Sequence, residues 1–165
     1  MAVVIAAVLF MVIGFVGGSV FAANILGRKM VDNSKLADKH FKIMYLLNQW
    51  LVVLEHGRSI SQYFIQNHYH TIAIYGMGYL GKRLLEELRG TGIEVKYLLD
   101  QQLEASYGGI PVLSGRDELM PVDVIVVTPV TGFYPIRRQL REKTKDKIIS
   151  IEEIFKWHLC KLDEN

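Results

Sequence analysis

Residues 73–83, A-I-Y-G-M-G-Y-L-G-K-R, constrain this chain more than any other stretch. The apolar run T-I-A-I-Y leads into glycines 76, 78 and 81, and leucines 80, 84, 85 and 88 then recur at helical spacing. A strand, a tight turn and a helix must follow one another directly. A strand that is apolar on consecutive positions is buried on both faces, so the rest of the chain has to supply a sheet around it.

The same run fits two phosphate-handling patterns. Gly76, Gly78 and Gly81 form G-x-G-x-x-G, whereas Gly76, Gly81 and Lys82 form most of G-x-x-x-x-G-K-[ST]. The second pattern needs Ser or Thr after its lysine, because that hydroxyl coordinates magnesium, and Arg83 stands there instead. The triphosphatase reading is therefore rejected. In the first pattern Gly76 makes the tight turn, Gly78 admits a pyrophosphate to the backbone, and Gly81 lets helix and strand pack. The amides of Met77, Gly78, Tyr79, Leu80 and Gly81 at the helix start would bind the anion. The strand V-K-Y-L-L then ends in Asp100, placed to accept the two hydroxyls of a ribose. Thr128-Pro129-Val130-Thr131-Gly132 would form the opposite wall, where the hydroxyls of Thr128 and Thr131 either meet the ligand or cap the next helix.

Beyond the glycines, strands are expected at Thr71–Tyr75, Glu94–Leu99, Val122–Thr128 and Lys147–Ile151. Helices are expected at Tyr79–Arg89, at Pro135–Glu142 and from Glu152 onward, with a helical turn near Arg116–Leu119. Strands alternating with helices call for a parallel sheet with crossovers. The expected fold is α/β, a small doubly wound parallel sheet preceded by one transmembrane helix and a helical linker. The corresponding domains are residues 1–27, 28–70 and 71–165.

The anchor is read from Ala2–Leu26, which carries no ionisable side chain and would exceed the roughly 30 Å hydrocarbon layer as a helix. It lacks the basic leader and the short apolar core of a cleaved signal. Arg28, Lys29, Lys35, Lys39 and Lys42 follow it, so the expected topology puts the amino terminus outside and the soluble domain in the cytoplasm. Gly14 and Gly18 have the spacing of a close-packed membrane helix pair, one route to a homodimer. Lys35–His56 should form one long helix, with Asp32, Asn33 and Ser34 as capping candidates and Gly57 as its stop. Its apolar second half must be covered by the neighbouring domain, a second copy or the membrane surface, and core packing is preferred. Ser59–His68 reads as a short helix capped by Ser59, with Ile60, Phe64 and Tyr63 facing inward.

Other chemistry is weakly represented. The formal charge of +2, with no basic stripe among aromatics, argues against nucleic acid. Cys160 is the only cysteine, so no disulfide forms within the chain. His68 with His70, and His158 with Cys160, are too few for a closed zinc site, and no metal is expected. Glu86-Glu87 and Glu152-Glu153 read as solvated helix faces. No catalytic triad is legible, and none of the eight tyrosines has Lys four positions on, the pair that short-chain epimerases use.

From Thr71 to Phe155 the chain resembles the small Rossmann domains, CoA- or nucleotide-binding, of membrane-linked proteins in bacterial polysaccharide biosynthesis. T-I-A-I-Y-G-M-G-Y-L-G-K-R-L-L-E-E-L, V-K-Y-L-L-D, Y-G-G-I-P-V-L-S-G-R-D-E-L and V-D-V-I-V-V-T-P carry the resemblance. It implies a nucleotide, NAD(H) or a nucleotide-sugar, held by Gly76, Gly78, Gly81 and Asp100. Family members continue into a catalytic domain. Here an accessory or regulatory role is expected, with a polysaccharide-biosynthesis protein as partner and no catalysis of its own. The alternatives are an NAD-dependent oxidoreductase or epimerase completed by a partner chain, and a nucleotide-sensing regulatory domain of potassium transport. The last shares the strand, the glycine loop and Asp100, but the Gly-Gly-Ile-Pro-Val segment argues against it.

Overall fold

The computed structural model describes Met1 and residues 30–163, apart from 104, 115 and 116. The membrane helix expected over residues 2–26, with its Gly14–Gly18 spacing, lies outside the described residues. Among those described, no helix is long and apolar enough to cross a membrane. The chain divides into two compact units, Met1–His40 and Phe41–Asn165.

Residues 30–55 are helical and form α1. Asp32, Asn33 and Ser34 lie within this helix and do not cap it; the Ser34 hydroxyl donates to the Val31 carbonyl at 2.9 Å. Gly57 does end it, at φ +67°, where a residue without Cβ turns the chain at little cost. Helix α2, Ser61–Gln66, follows. Ile60 rather than Ser59 occupies its cap position, although the Ser59 hydroxyl accepts from the Ser61 N–H at 3.2 Å. Ile60, Tyr63 and Phe64 are buried, as their spacing required.

The sheet strands are β1 Thr71–Tyr75, β2 Glu94–Leu99, β3 Ser106–Tyr107, β4 Ile110–Leu113, β5 Val124–Val127 and β6 Lys147–Ser150. Their order is β3-β4-β2-β1-β5-β6, parallel throughout except for the β3–β4 pair. Taken in chain order, the five parallel strands run 3-2-1-4-5, and the order reverses between β1 and β5. That reversal is the Rossmann-like switch point, where a crevice opens at the carboxyl ends of the strands. Helices α3 (Tyr79–Leu88), α4 (Phe133–Arg141) and α5 (Ile151–Asp163) complete the unit.

Period-two alternation splits the strands between two cores. Ile72, Ile74, Leu98, Val124, Val126 and Ile149 pack under α3, α5 and α2, and against Leu46, Trp50 and Val53 of α1. Of the segment 28–70 expected as a linker, residues 41–70 fall in the same compact unit as the sheet. Ala73, Tyr97, Leu99, Ile125, Val127 and Ile148 point the other way, against Leu140, Phe133 and Ile136 of α4.

Two features of the first core were invisible in the sequence. Glu87, expected to be solvated, accepts from Trp50 Nε1 at 3.3 Å, the Ser59 hydroxyl at 3.0 Å and the Ile60 N–H at 3.1 Å. It joins α1, the start of α2 and α3. Glu87→Ala strands these donors and is expected to cost about 2 kcal/mol, read as a lowered midpoint in urea unfolding.

The second feature is His158 on α5, which is fully buried with neither ring nitrogen in a hydrogen bond. Cys160, two residues on, is exposed, so the two do not share a site. Burial lowers the His158 pKa below its ordinary value of 6.5; the Arg58 charge adds to this, while the nearby Ile60 backbone and Glu87 oppose it. The unfolded chain then binds the proton more readily than the folded one. Stability is complete above about pH 6.5 and falls as the pH drops toward and through the lowered folded-state value, by up to about 1.4 kcal/mol per pH unit. Urea unfolding at pH 7 and pH 5 should show this loss in the wild type and a smaller one in His158→Leu.

Candidate functional site

The glycine turn leaves β1 at the switch point. Gly76 has φ +86°, and a Cβ there would lie 2.8 Å from Cδ of Pro129 and 3.1 Å from the Thr128 hydroxyl. Gly81 is tighter still, since a Cβ would stand 2.0 Å from the Gly76 carbonyl oxygen. These two glycines let α3, the turn and the end of β5 close on one another. Gly78 differs from both. Its φ of −70° suits any residue, and a Cβ there would meet nothing within 4 Å. Its exposed surface is open space rather than a packing contact.

Above that space lies the start of α3. The first intrahelical bond runs from Lys82 N–H to the Gly78 carbonyl at 3.0 Å. The N–H groups of Gly78, Tyr79, Leu80 and Gly81 have no acceptor among the described residues. Such orphan donors, with the positive end of the helix dipole behind them, make an anion seat. Leu80 is buried and anchors the turn, whereas Tyr79 is 78% exposed at the rim. Lys82 and Arg83 are exposed, with Lys82 Nζ 5.6 Å from the centre of the Tyr107 ring.

Met77 is buried, and its N–H donates to Asp100 Oδ2 at 2.8 Å. Asp100 Oδ1 accepts from the Gln102 N–H at 2.8 Å. Asp100 thus stands beside the glycine turn as the sequence placed it, and it also braces that turn. Each of its oxygens keeps lone-pair capacity for a further donor.

The opposite wall is built differently from its sequence reading. Thr128 is buried, and its hydroxyl lies 2.5 Å from the Gly76 carbonyl oxygen and 3.2 Å from that of Tyr75. Its proton is engaged in clamping β5 to the glycine turn. Thr131 is exposed, and Gly132, φ +87°, holds the cap position before α4, without a side-chain cap from either threonine. Pro129, not singled out in the sequence, covers Gly76.

The helical turn expected near Arg116–Leu119 is absent from its described part. Asp117 instead closes a turn by accepting the Ser114 N–H at 2.6 Å, and Arg116 lies outside the described residues. Among the described residues of the β4–β5 connection no helix covers the sheet. A cleft of about 690 Å³ opens on the α4 face, with Tyr75, Leu99, Gln101, Ser114, Leu119 and Leu140 in its lining. Tyr75 and Leu99 directly precede Gly76 and Asp100 in the chain, but neither Asp100 nor any of Gly76–Gly81 lines this cleft. The signal for it was the shortness of the β4–β5 connection.

Among the described residues no three metal-ligating side chains gather, and His68 and His70 are exposed. Comparison of the chain with protein-family models, with curated proteins and with solved structures gave no match.

Proposed function

We propose that this chain is a nucleotide-binding module. The ligand is a nucleoside diphosphate derivative, NAD(H) or a nucleotide-sugar, whose diphosphate rests on the amides of Gly78–Gly81. Its ribose reaches Asp100, and the cleft beyond Gln101 takes the attached base. The observation that carries this reading is the contrast among the three glycines: two are closed by contacts at or under 3.1 Å, and the third faces empty space beneath four unaccepted N–H groups. Packing alone explains Gly76 and Gly81 and leaves Gly78 without a reason.

In this reading the module is accessory or regulatory and serves cell-surface polysaccharide assembly. Its apolar leading segment tethers it to the cytoplasmic side of a membrane. Calorimetric titration of the full-length protein with NADH, a UDP-sugar, CoA and unphosphorylated adenosine tests the binding. Saturable heat is expected from a diphosphate-bearing nucleotide and none from adenosine. Asp100→Asn should weaken nucleotide binding about tenfold through loss of the charged ribose acceptor. Heat from adenosine alone, or from no nucleotide, contradicts the proposal.

A further inference from the structure

Helix α1 carries a second apolar face that the sheet does not cover. Leu46, Trp50 and Val53 are buried against the core, whereas Phe41, Met44, Tyr45, Leu51 and Leu54 remain 63%, 60%, 52%, 57% and 43% exposed. These exposures follow a heptad. With Phe41 at position a, Met44 and Leu51 fall at d and Asn48 at the next a, while the buried Leu46, Trp50 and Val53 fall at c and f. The exposed stripe therefore lies on the side of the helix opposite its own sheet. Two copies can bring these stripes together with both sheets on the outside.

We infer that α1 pairs with α1 of a second copy of this chain, parallel and in register, along Phe41, Met44, Asn48 and Leu51. Three observations select that occupant. First, Asn48 interrupts the stripe at its centre. A second copy in register supplies a matching amide, the pairing that a single Asn at an a position specifies. Second, no charged side chain occurs from Ile43 to Leu54, so two identical faces meet without repulsion. An antiparallel pair centred on Asn48 would instead set Phe41 against Glu55. Third, the five exposed side chains offer roughly 600 Å² per copy, close to the ~800 Å² per partner of a stable interface.

Light scattering of the full-length protein, and oxidation of single-cysteine variants in a Cys160→Ser background, test the pairing. The wild type is expected at twice 18.8 kDa, and Leu51→Glu at 18.8 kDa with unchanged helix content. Met44→Cys should form a disulfide-linked dimer, because d positions of a parallel pair face each other, and Lys42→Cys, at b, should not. A wild-type mass of one chain overturns the inference. So does a Leu51→Glu protein that stays paired, which would place the contact elsewhere, or equal cross-linking at positions 42 and 44. Should Leu51→Glu lose helix content, the cross-linking contrast decides alone.

Discussion

Gly81→Ala is expected to lower the stability of the protein by about 3 kcal/mol or more, read as a large loss in the urea midpoint or as failure to fold. The added methyl would stand 2.0 Å from the Gly76 carbonyl oxygen, 3.1 Å from its carbon and 3.2 Å from the Thr128 hydroxyl. The first two are backbone atoms, so no rotamer change relieves the clash. Either α3 moves off the sheet, unpacking Leu80, Leu84 and Leu88, or the turn opens and breaks the Gly76 N–H bond to Leu99 at 2.8 Å. Both routes strike the centre of the sheet. A Gly81→Ala protein with wild-type stability would mean that the glycine turn is looser than described.

Gly78→Val should do the opposite. Its φ and ψ of −70° and −162° are extended backbone, which a β-branched residue adopts freely, and its added Cβ meets nothing within 4 Å. Stability should stay within about 0.5 kcal/mol of wild type. The branched side chain would, however, fill the space in which a phosphate must approach the amides of Gly78–Gly81. Loss of nucleotide affinity by about a hundredfold or more is expected in calorimetry. Gly81 and Gly78 thus separate folding from binding within one motif. A valine variant that binds as tightly as wild type removes the anion from this turn.

The tight turn at Gly76 and the close packing at Gly81 could be read from sequence because each is set by backbone chemistry within a few residues of the motif. The same holds for β1, β5 and Gly57, where runs rich in β-branched residues and a lone glycine leave few options. The β3–β4 hairpin carries a local signal in its glycine pair. Gly108 and Gly109, both at positive φ between Tyr107 and Ile110, make the two-residue turn that glycine pairs favour. Other features had no local signal at all. Glu87 and Thr128 owe their roles to partners 27 to 53 residues away, so sequence neighbours made one look solvated and the other free. The two faces of α1 were hidden because Ile43–Leu54 is uncharged all round, and periodicity in such a run does not tell the core side from the open one.

The central claim is that the start of α3 receives the phosphates of a nucleotide, and amide-resolved NMR of the full-length protein tests it most directly. Addition of a diphosphate-bearing nucleotide should shift the backbone amide signals of Gly78, Tyr79, Leu80 and Gly81 in saturable fashion, with the signals of Gln101 and Ser114 following as the cleft fills. Amides at the far end of the sheet, such as Thr71 and Lys147, should stay in place. Unmoved signals from Gly78 to Gly81 at saturating nucleotide, or shifts confined to another part of the molecule, would contradict the account.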